Sequence, residues 1–151
     1  VITVPFSRLV FQFHEIGIHR GRRWGFREVF GFRTLRDLPF LTLASKVKAA
    51  YAGKGVPAHE GWPAQREALR WLVDKGLDGI YALDDKGLEI KATPFGRYYI
   101  IEGNHRALAL YILGAKEVRA QVKRSADPRR EAHARVALQR TAAAGRASRK
   151  V

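Results

Sequence analysis

The stretch Tyr98-Tyr99-Ile100-Ile101-Glu102-Gly103-Asn104-His105-Arg106-Ala107-Leu108-Ala109-Leu110 decides how the chain is read. Four large apolar residues in a row, preceded by Pro94 and Gly96, have the length and composition of a strand buried on both faces. From Ala107 to Leu113 the apolar positions form a short helix, which Gly114 closes. The spacing predicts a helix over 104–113 that starts directly where the strand stops. Gly103 gives the turn between them room, with no side chain in the way, and the backbone N–H groups at the helix start form a ready anion site. His105 and Arg106 fall in the first helical turn, at the positive end of the helix dipole, where a cation costs roughly 0.3–1 kcal/mol. A bound anion would reverse that cost. Gly103, Asn104, His105 and Arg106 are therefore candidate phosphate ligands. In the competing reading, Glu102 and Arg106 form an internal ion pair and His105 is a neutral, satisfied side chain.

Working outward, Val118-Arg119-Ala120-Gln121-Val122 alternates as a further strand, and strand, helix, strand implies a crossover unit. Upstream, Leu43, Val47, Ala50 and Tyr51 share one face of a helix over 43–52, with Gly53 at its left-handed cap. Pro63 suits a first helical turn, Leu69, Leu72 and Val73 make a buried stripe, and Gly76 ends a helix over 63–75. Gly79-Ile80-Tyr81-Ala82-Leu83 reads as a strand, residues 84–87 as a turn, and Leu88-Glu89-Ile90 as the second arm of a hairpin. Val1-Ile2-Thr3-Val4 reads as an opening strand, and Pro5 puts it at a sheet edge. The expected class is α/β (α+β), a small mixed sheet packed with short helices. One domain over 1–124 would carry an irregular basic and aromatic insertion at about 11–42, followed by an Ala/Arg-rich helix and tail over 125–151.

The chain has 151 residues, 46% of them hydrophobic, enough for one ordinary core. It holds 28 Lys and Arg against 14 Asp and Glu, a formal charge of +14, and this points to an anionic partner. The excess lies at the ends: residues 1–36 hold seven arginines against two glutamates, and residues 123–151 hold nine basic against two acidic side chains. Nineteen of the 28 cations are arginine, whose planar fork suits phosphate. The bland reading of this charge is a solvated surface. No cysteine occurs, which excludes a disulfide scaffold, a thiolate nucleophile and cysteine-ligated metal. No apolar run approaches the roughly 18 residues of a membrane span. The start at Val1, without a basic-then-apolar leader, fits a processed protein or a fragment.

Within the insertion, His19-Arg20-Gly21-Arg22-Arg23-Trp24-Gly25-Phe26-Arg27 interleaves cations with aromatics, chemistry suited to phosphates and unpaired bases. Arg20, Arg22, Arg23, Trp24 and Arg27 are nucleic-acid candidates on that ground; the alternative is that the rings pack on the core. Asp127-Pro128 reads as a cap and first turn of an Ala-rich helix running to Gly145, beyond which 146–151 is expected to be unstructured. Arg129, Arg130 and Arg135 on that helix join the nucleic-acid candidates. His14 and His19 do not have the spacing of a metalloprotease helix.

The helix at 69–73, Gly76-Leu77, the strand at Ile80, the strand at 97–101, Gly103-Asn104-His105-Arg106-Ala107, Gly114 and the strand at 118–122 resemble the ParB/sulfiredoxin superfamily, over roughly residues 66–122. The resemblance implies that the Gly-x-x-Arg turn binds phosphates of a nucleotide or nucleic acid. Sulfiredoxins have a cysteine where Asn104 stands, so reductase chemistry is not implied here. Partition-type ParB proteins have two arginines in the turn, the first where His105 stands. Glu102 occupies a position where nuclease-like and kinase-like members often have an aspartate. That implies Glu102 and His105 as catalytic residues, with Glu102 as a metal ligand, and Glu15 or Glu28 as a second carboxylate. The implied cofactors are Mg²⁺ or another divalent cation and ATP or CTP. The implied partner is nucleic acid, DNA before RNA, or a nucleotide.

The expected function is phosphate recognition serving nucleic-acid or nucleotide binding, with nucleotide hydrolysis or phosphodiester cleavage as the candidate chemistry. Three other readings are a non-catalytic DNA/RNA-binding module, a toxin domain released from a larger secreted polypeptide, and a small-molecule kinase. The expected site of action is the bacterial cytoplasm.

Overall fold

The computed structural model describes residues 1–12, 25–83, 87–125 and 127–149, with side chains up to residue 143. The fold is mixed α+β, a five-stranded curled sheet packed with six helices among the described residues. The strands are β1 (Ile2–Pro5), β2 (Leu9–Phe11), β3 (Leu88–Ala92), β4 (Tyr98–Glu102) and β5 (Glu117–Lys123). The helices are α1 (Phe26–Val29), α2 (Phe40–Tyr51), α3 (Trp62–Val73), α4 (Gly76–Leu83), α5 (Asn104–Ile112) and α6 (Pro128–Arg149).

The strand order is β1-β5-β3-β4-β2, which puts β1 and β2 at opposite edges. Only a single 3₁₀ turn, Phe6–Arg8, separates them in sequence. Four inter-strand gaps of about 4.8 Å would set the edges of a flat sheet about 19 Å apart. The four residue steps from Pro5 to Leu9 reach at most about 14 Å, and less through a 3₁₀ turn. The sheet therefore has to curl until its edges approach. Phe6 in the connecting turn is buried, stacked on Phe40 of α2 (4.9 Å between centroids) and edge-on to Tyr111 of α5 (5.5 Å).

Helices at 43–52, 63–75 and 104–113 are present with shifted ends, and Leu43, Val47, Ala50, Leu69 and Leu72 are buried as the helical period requires. Pro5 closes an edge strand. Four expectations need correction. Residues 79–83 are helical, part of α4; Ile80 alone in that helix is fully buried, and the Gly79 to Leu83 run is too short for periodicity to separate strand from helix. The hairpin partner of β3 is β4, through the turn at 93–97. β4 is not buried on both faces: Tyr98 and Ile100 are buried, whereas Tyr99 and Ile101 are half-exposed. The strand that follows α5 does not lie beside β4, because β5 pairs parallel with β3, which sits between them. The crossover thus links β3 to β5 by way of β4 and α5.

The irregular region also contributes to the core. Phe11, Phe26, Val29 and Leu35 are buried, and Phe30 meets Trp62 of α3 edge-on at 5.6 Å. At the other end, Asp127 Oδ1 accepts the Arg129 N–H at 3.0 Å and caps α6, whose backbone continues through Gly145 to Arg149 instead of ending there. Ala134 anchors α6 in the core. No helix among the described residues is long and apolar enough to cross a membrane.

Thr93 is fully buried, and its Oγ1 accepts the N–H groups of Arg97 (2.9 Å) and Phe95 (3.2 Å), which holds the β3–β4 turn. Thr93→Val keeps the shape but orphans both donors. Urea unfolding should show a loss of about 1–3 kcal/mol, and melting should drop by about 2–4 °C per kcal/mol.

Candidate functional site

At the end of β4 the chain must change from extended to helical backbone within one residue. Gly103 does this at φ 101°, in the left-handed region. A Cβ at this position would lie 2.6 Å from Leu88 Cδ2 and 3.2 Å from Arg106 Nη2. Glycine is thus required both by conformation and by space. The same contact shows that the Arg106 guanidinium folds back over Gly103. The N-cap of α5 is Gly103, which brings no side chain of its own, and the first intrahelical bond runs from the Ala107 N–H to the Gly103 carbonyl at 2.9 Å. The N–H groups of Asn104, His105 and Arg106 lie in the first turn, at the positive end of the helix.

Each side chain of the turn has a distinct setting. Asn104 is half-buried, and its Oδ1 is buried without a hydrogen-bond partner. His105 Nε2 lies 2.9 Å from Gln65 Oε1 of α3, and its ring packs on Phe26 of α1 at 5.2 Å. Which of the two donates in this contact follows from the tautomer of the ring. Glu102 is exposed, and its cross-strand partner is Glu89. The pairing shifts register between Glu89 and Ile90, and this irregularity is what sets Glu89 opposite Glu102. Glu89 is offset by Lys123, 3.3 Å away. Two carboxylates with hard oxygen donors suit Mg²⁺, which is commonly held by one or two carboxylates plus waters and substrate phosphates. No cluster of three or more metal-ligating side chains exists among the described residues.

Gln65, Phe26 and Glu89 are the site residues that the sequence reading missed. Glu89 had no signal, since regular pairing from Ile90 and Ile100 would set it opposite Ile101, and only the register shift between Glu89 and Ile90 brings it to Glu102. Gln65 and Phe26 had none, because they come from separate helices. Of the proposed second carboxylates, Glu28 is bound by Arg27 at 2.6 Å, and Glu15 lies outside the described residues.

Arg20, Arg22, Arg23 and Trp24, like His14 and His19, lie outside the described residues. Phe26 is fully buried, so it packs on the core and does not present a face for base stacking. Arg27 is committed within the chain, to the Glu28 carboxylate and the Arg33 carbonyl. Arg129 pairs with Asp127 at 3.2 Å, and Arg130 and Arg135 are exposed. The two basic ends nevertheless converge on β4. Arg36 and Arg130 both act on Tyr99, and Arg8 and Arg135 both act on Tyr98. Burial pushes both phenols above the ordinary tyrosine range. For Tyr99 the hydrogen bond to Asp37 Oδ1 (2.5 Å) adds to that shift.

No protein-family model, curated protein or solved structure matches the chain.

Gly103→Ala should destabilise the protein by about 1–3 kcal/mol through the left-handed backbone alone, with the Leu88 contact adding to it. Calorimetry of the variant should show this loss, and a melt equal to wild type would contradict the geometry given for the turn.

Proposed function

We propose that the turn at Gly103 binds a phosphate group of a nucleic acid or nucleotide, and that the chain is a ParB/sulfiredoxin-like domain. The observation that carries this reading is the start of α5 behind a glycine at φ 101° with the Arg106 guanidinium folded over it. Backbone donors, a positive helix end and a guanidinium then surround one position, which is the chemistry of phosphate capture. The net charge of +14 and the convergence of both basic ends on β4 support a polyanion as the natural form of the ligand.

In this reading Arg106 clamps the phosphate, and the N–H groups of Asn104 and His105 orient it. Gln65 positions the His105 ring, and His105 binds the phosphate or shuttles a proton. Glu102 would hold a divalent cation, with Glu89 opposite it in the strand pairing; such a cation would supply charge neutralisation at the phosphate. Candidate nucleotides are ATP and CTP. A non-catalytic nucleic-acid module is the second reading, favoured by Arg130 and Arg135 lying exposed on α6 away from any carboxylate pair. Glu102→Gln separates the two: it abolishes turnover in the first and leaves binding unchanged in the second.

The test is a thermal-shift panel of nucleotides with and without Mg²⁺, beside fluorescence anisotropy on a single-stranded oligonucleotide. At about 100 times Kd a ligand stabilises by roughly 2.7 kcal/mol, and each kcal/mol moves Tm by about 2–4 °C at this size. Either a nucleotide shift or salt-sensitive oligonucleotide binding is expected, lost in Arg106→Gln. Binding that survives Arg106→Gln unchanged, or no binding by either method, overturns the proposal.

A further inference from the structure

The opposite end of β4 carries a second group of cations that the Gly103 turn does not use. β2 pairs parallel with β4, with Leu9 beside Tyr98, so Arg8 is level with Arg97. Arg8 donates through Nη2 to the Gly96 carbonyl, in the turn that Thr93 organises. Its Nε is buried and has no acceptor. Neither Arg8 nor Arg97 forms an ion pair among the described residues, and Arg97 is half-exposed. From α6 come the exposed His133, whose Nε2 lies 3.2 Å from where a Gly96 Cβ would stand, and Arg135, which acts on the buried Tyr98 together with Arg8. The nearest carboxylate to enter this group is Glu131, whose Oε1 already accepts the Ser125 N–H at 2.5 Å.

A buried N–H of a charged group without an acceptor is costly, and two guanidinium groups side by side without a carboxylate add repulsion. Burial and the neighbouring Arg97 charge both make the Arg8 proton easier to lose than usual. A compact anion with several acceptor oxygens, seated against the guanidinium groups of Arg8 and Arg97, offsets their paired charge. Phosphate fits, because its oxygens match the arginine fork and can serve two guanidinium groups together. Beside the turn, the half-exposed ring of Phe95 lies edge-on to Tyr99 at 6.4 Å, an apolar surface next to the cations. We infer that Arg8 and Arg97, closed over by His133 and Arg135 of α6, form a second phosphate-binding site, separate from the Gly103 turn. Its ligand is a phosphate group, borne either by a small phosphorylated molecule or by a nucleic-acid backbone.

The arginine Nε–H signals of the isotopically labelled full chain report this directly by NMR. Titration with inorganic phosphate should move the Arg8 Nε–H signal in wild type and equally in Arg106→Gln. Arg97→Gln, which leaves the backbone bonds of that residue to Thr93 in place, should weaken phosphate binding at Arg8 roughly tenfold or more, the size of one charge-assisted bond. Arg8→Gln should remove it, with a melt to confirm folding; Arg97→Gln keeps the test valid if that variant does not fold. A trinucleotide and a longer oligonucleotide then separate the sources. Tighter binding of the longer chain, weakened by Arg97→Gln, assigns the site to a polymer backbone, and phosphate that oligonucleotides fail to displace assigns it to a small anion. If the Arg8 signal stays still with every ligand while Arg106 responds, this site does not exist and the Gly103 reading stands. Movement at Arg8 without any at Arg106 gives the reverse.

Discussion

Three residues join the two edges of a five-stranded sheet, and most of the molecule follows from that closure. Because Phe6–Arg8 spans so short a distance, β1 and β2 must approach each other, and the sheet curls around a core that Phe6 enters from the turn. The aromatic cluster of Phe6, Phe11, Phe40 and Tyr111 draws α2 and α5 onto the same place. Offset and edge-on rings of this kind contribute about 0.5–1.5 kcal/mol per pair beyond the area they bury. The parallel pairing of β2 with β4 is also a product of the curl, and it fixes which residues of the opening segment lie beside the start of β4. Arg8 meets the turn at Gly96 for that reason.

The far end of β4 depends on a different constraint. Leu88 of β3 packs so closely on the turn that no side chain fits at Gly103, and the same approach brings Arg106 back over the glycine. A cation in the first turn of a helix is unfavourable on its own. The Gly103 N-cap brings no side chain of its own to offset that cost. α1 and α3 reinforce the turn from outside the strand-turn-helix unit. Phe26 and Gln65 hold the His105 ring in position.

What the sequence made legible was local. The change of period at Gly103, the caps at Pro63 and Asp127, and the buried stripes of α2 and α3 are all written within a few residues. Failures arose where the answer depended on a distant partner. Gly79 to Leu83 is apolar enough for strand or helix, and it lies in a separate helix that begins at the left-handed Gly76, with Ile80 packed into the core. The half-exposure of Tyr99 and Ile101 reflects their place on the outer face of a curled sheet, which composition does not encode. The site was half legible for the same reason. Gly103 to Arg106 announced themselves as a contiguous motif, whereas Glu89, Gln65 and Phe26 reach it through strand pairing and helix packing. Arg8 carried no signal at all, since its significance rests on the β2–β4 register.

That register gives β4 a polarity of its own. A phenol pair, Tyr98 and Tyr99, stands at its start among Arg8, Arg36, Arg130 and Arg135, and the Gly103 turn with Arg106 stands at its end. The four residue steps from Tyr98 to Glu102 cover about 13 Å. At physiological ionic strength exposed charges are screened over about 8 Å, and at low salt over several times that distance. The two ends of the strand thus act as nearly independent positive centres in physiological buffer, and they merge into one continuous field as salt is removed. A small anion gains from either centre alone. A polyanion long enough to span the strand gains from both, and it gains most steeply when salt is low, because each phosphate it commits releases its own counterions. The basic ends of the chain, far apart in sequence, are brought by the fold to the one strand along which that difference between a short and a long ligand is expressed.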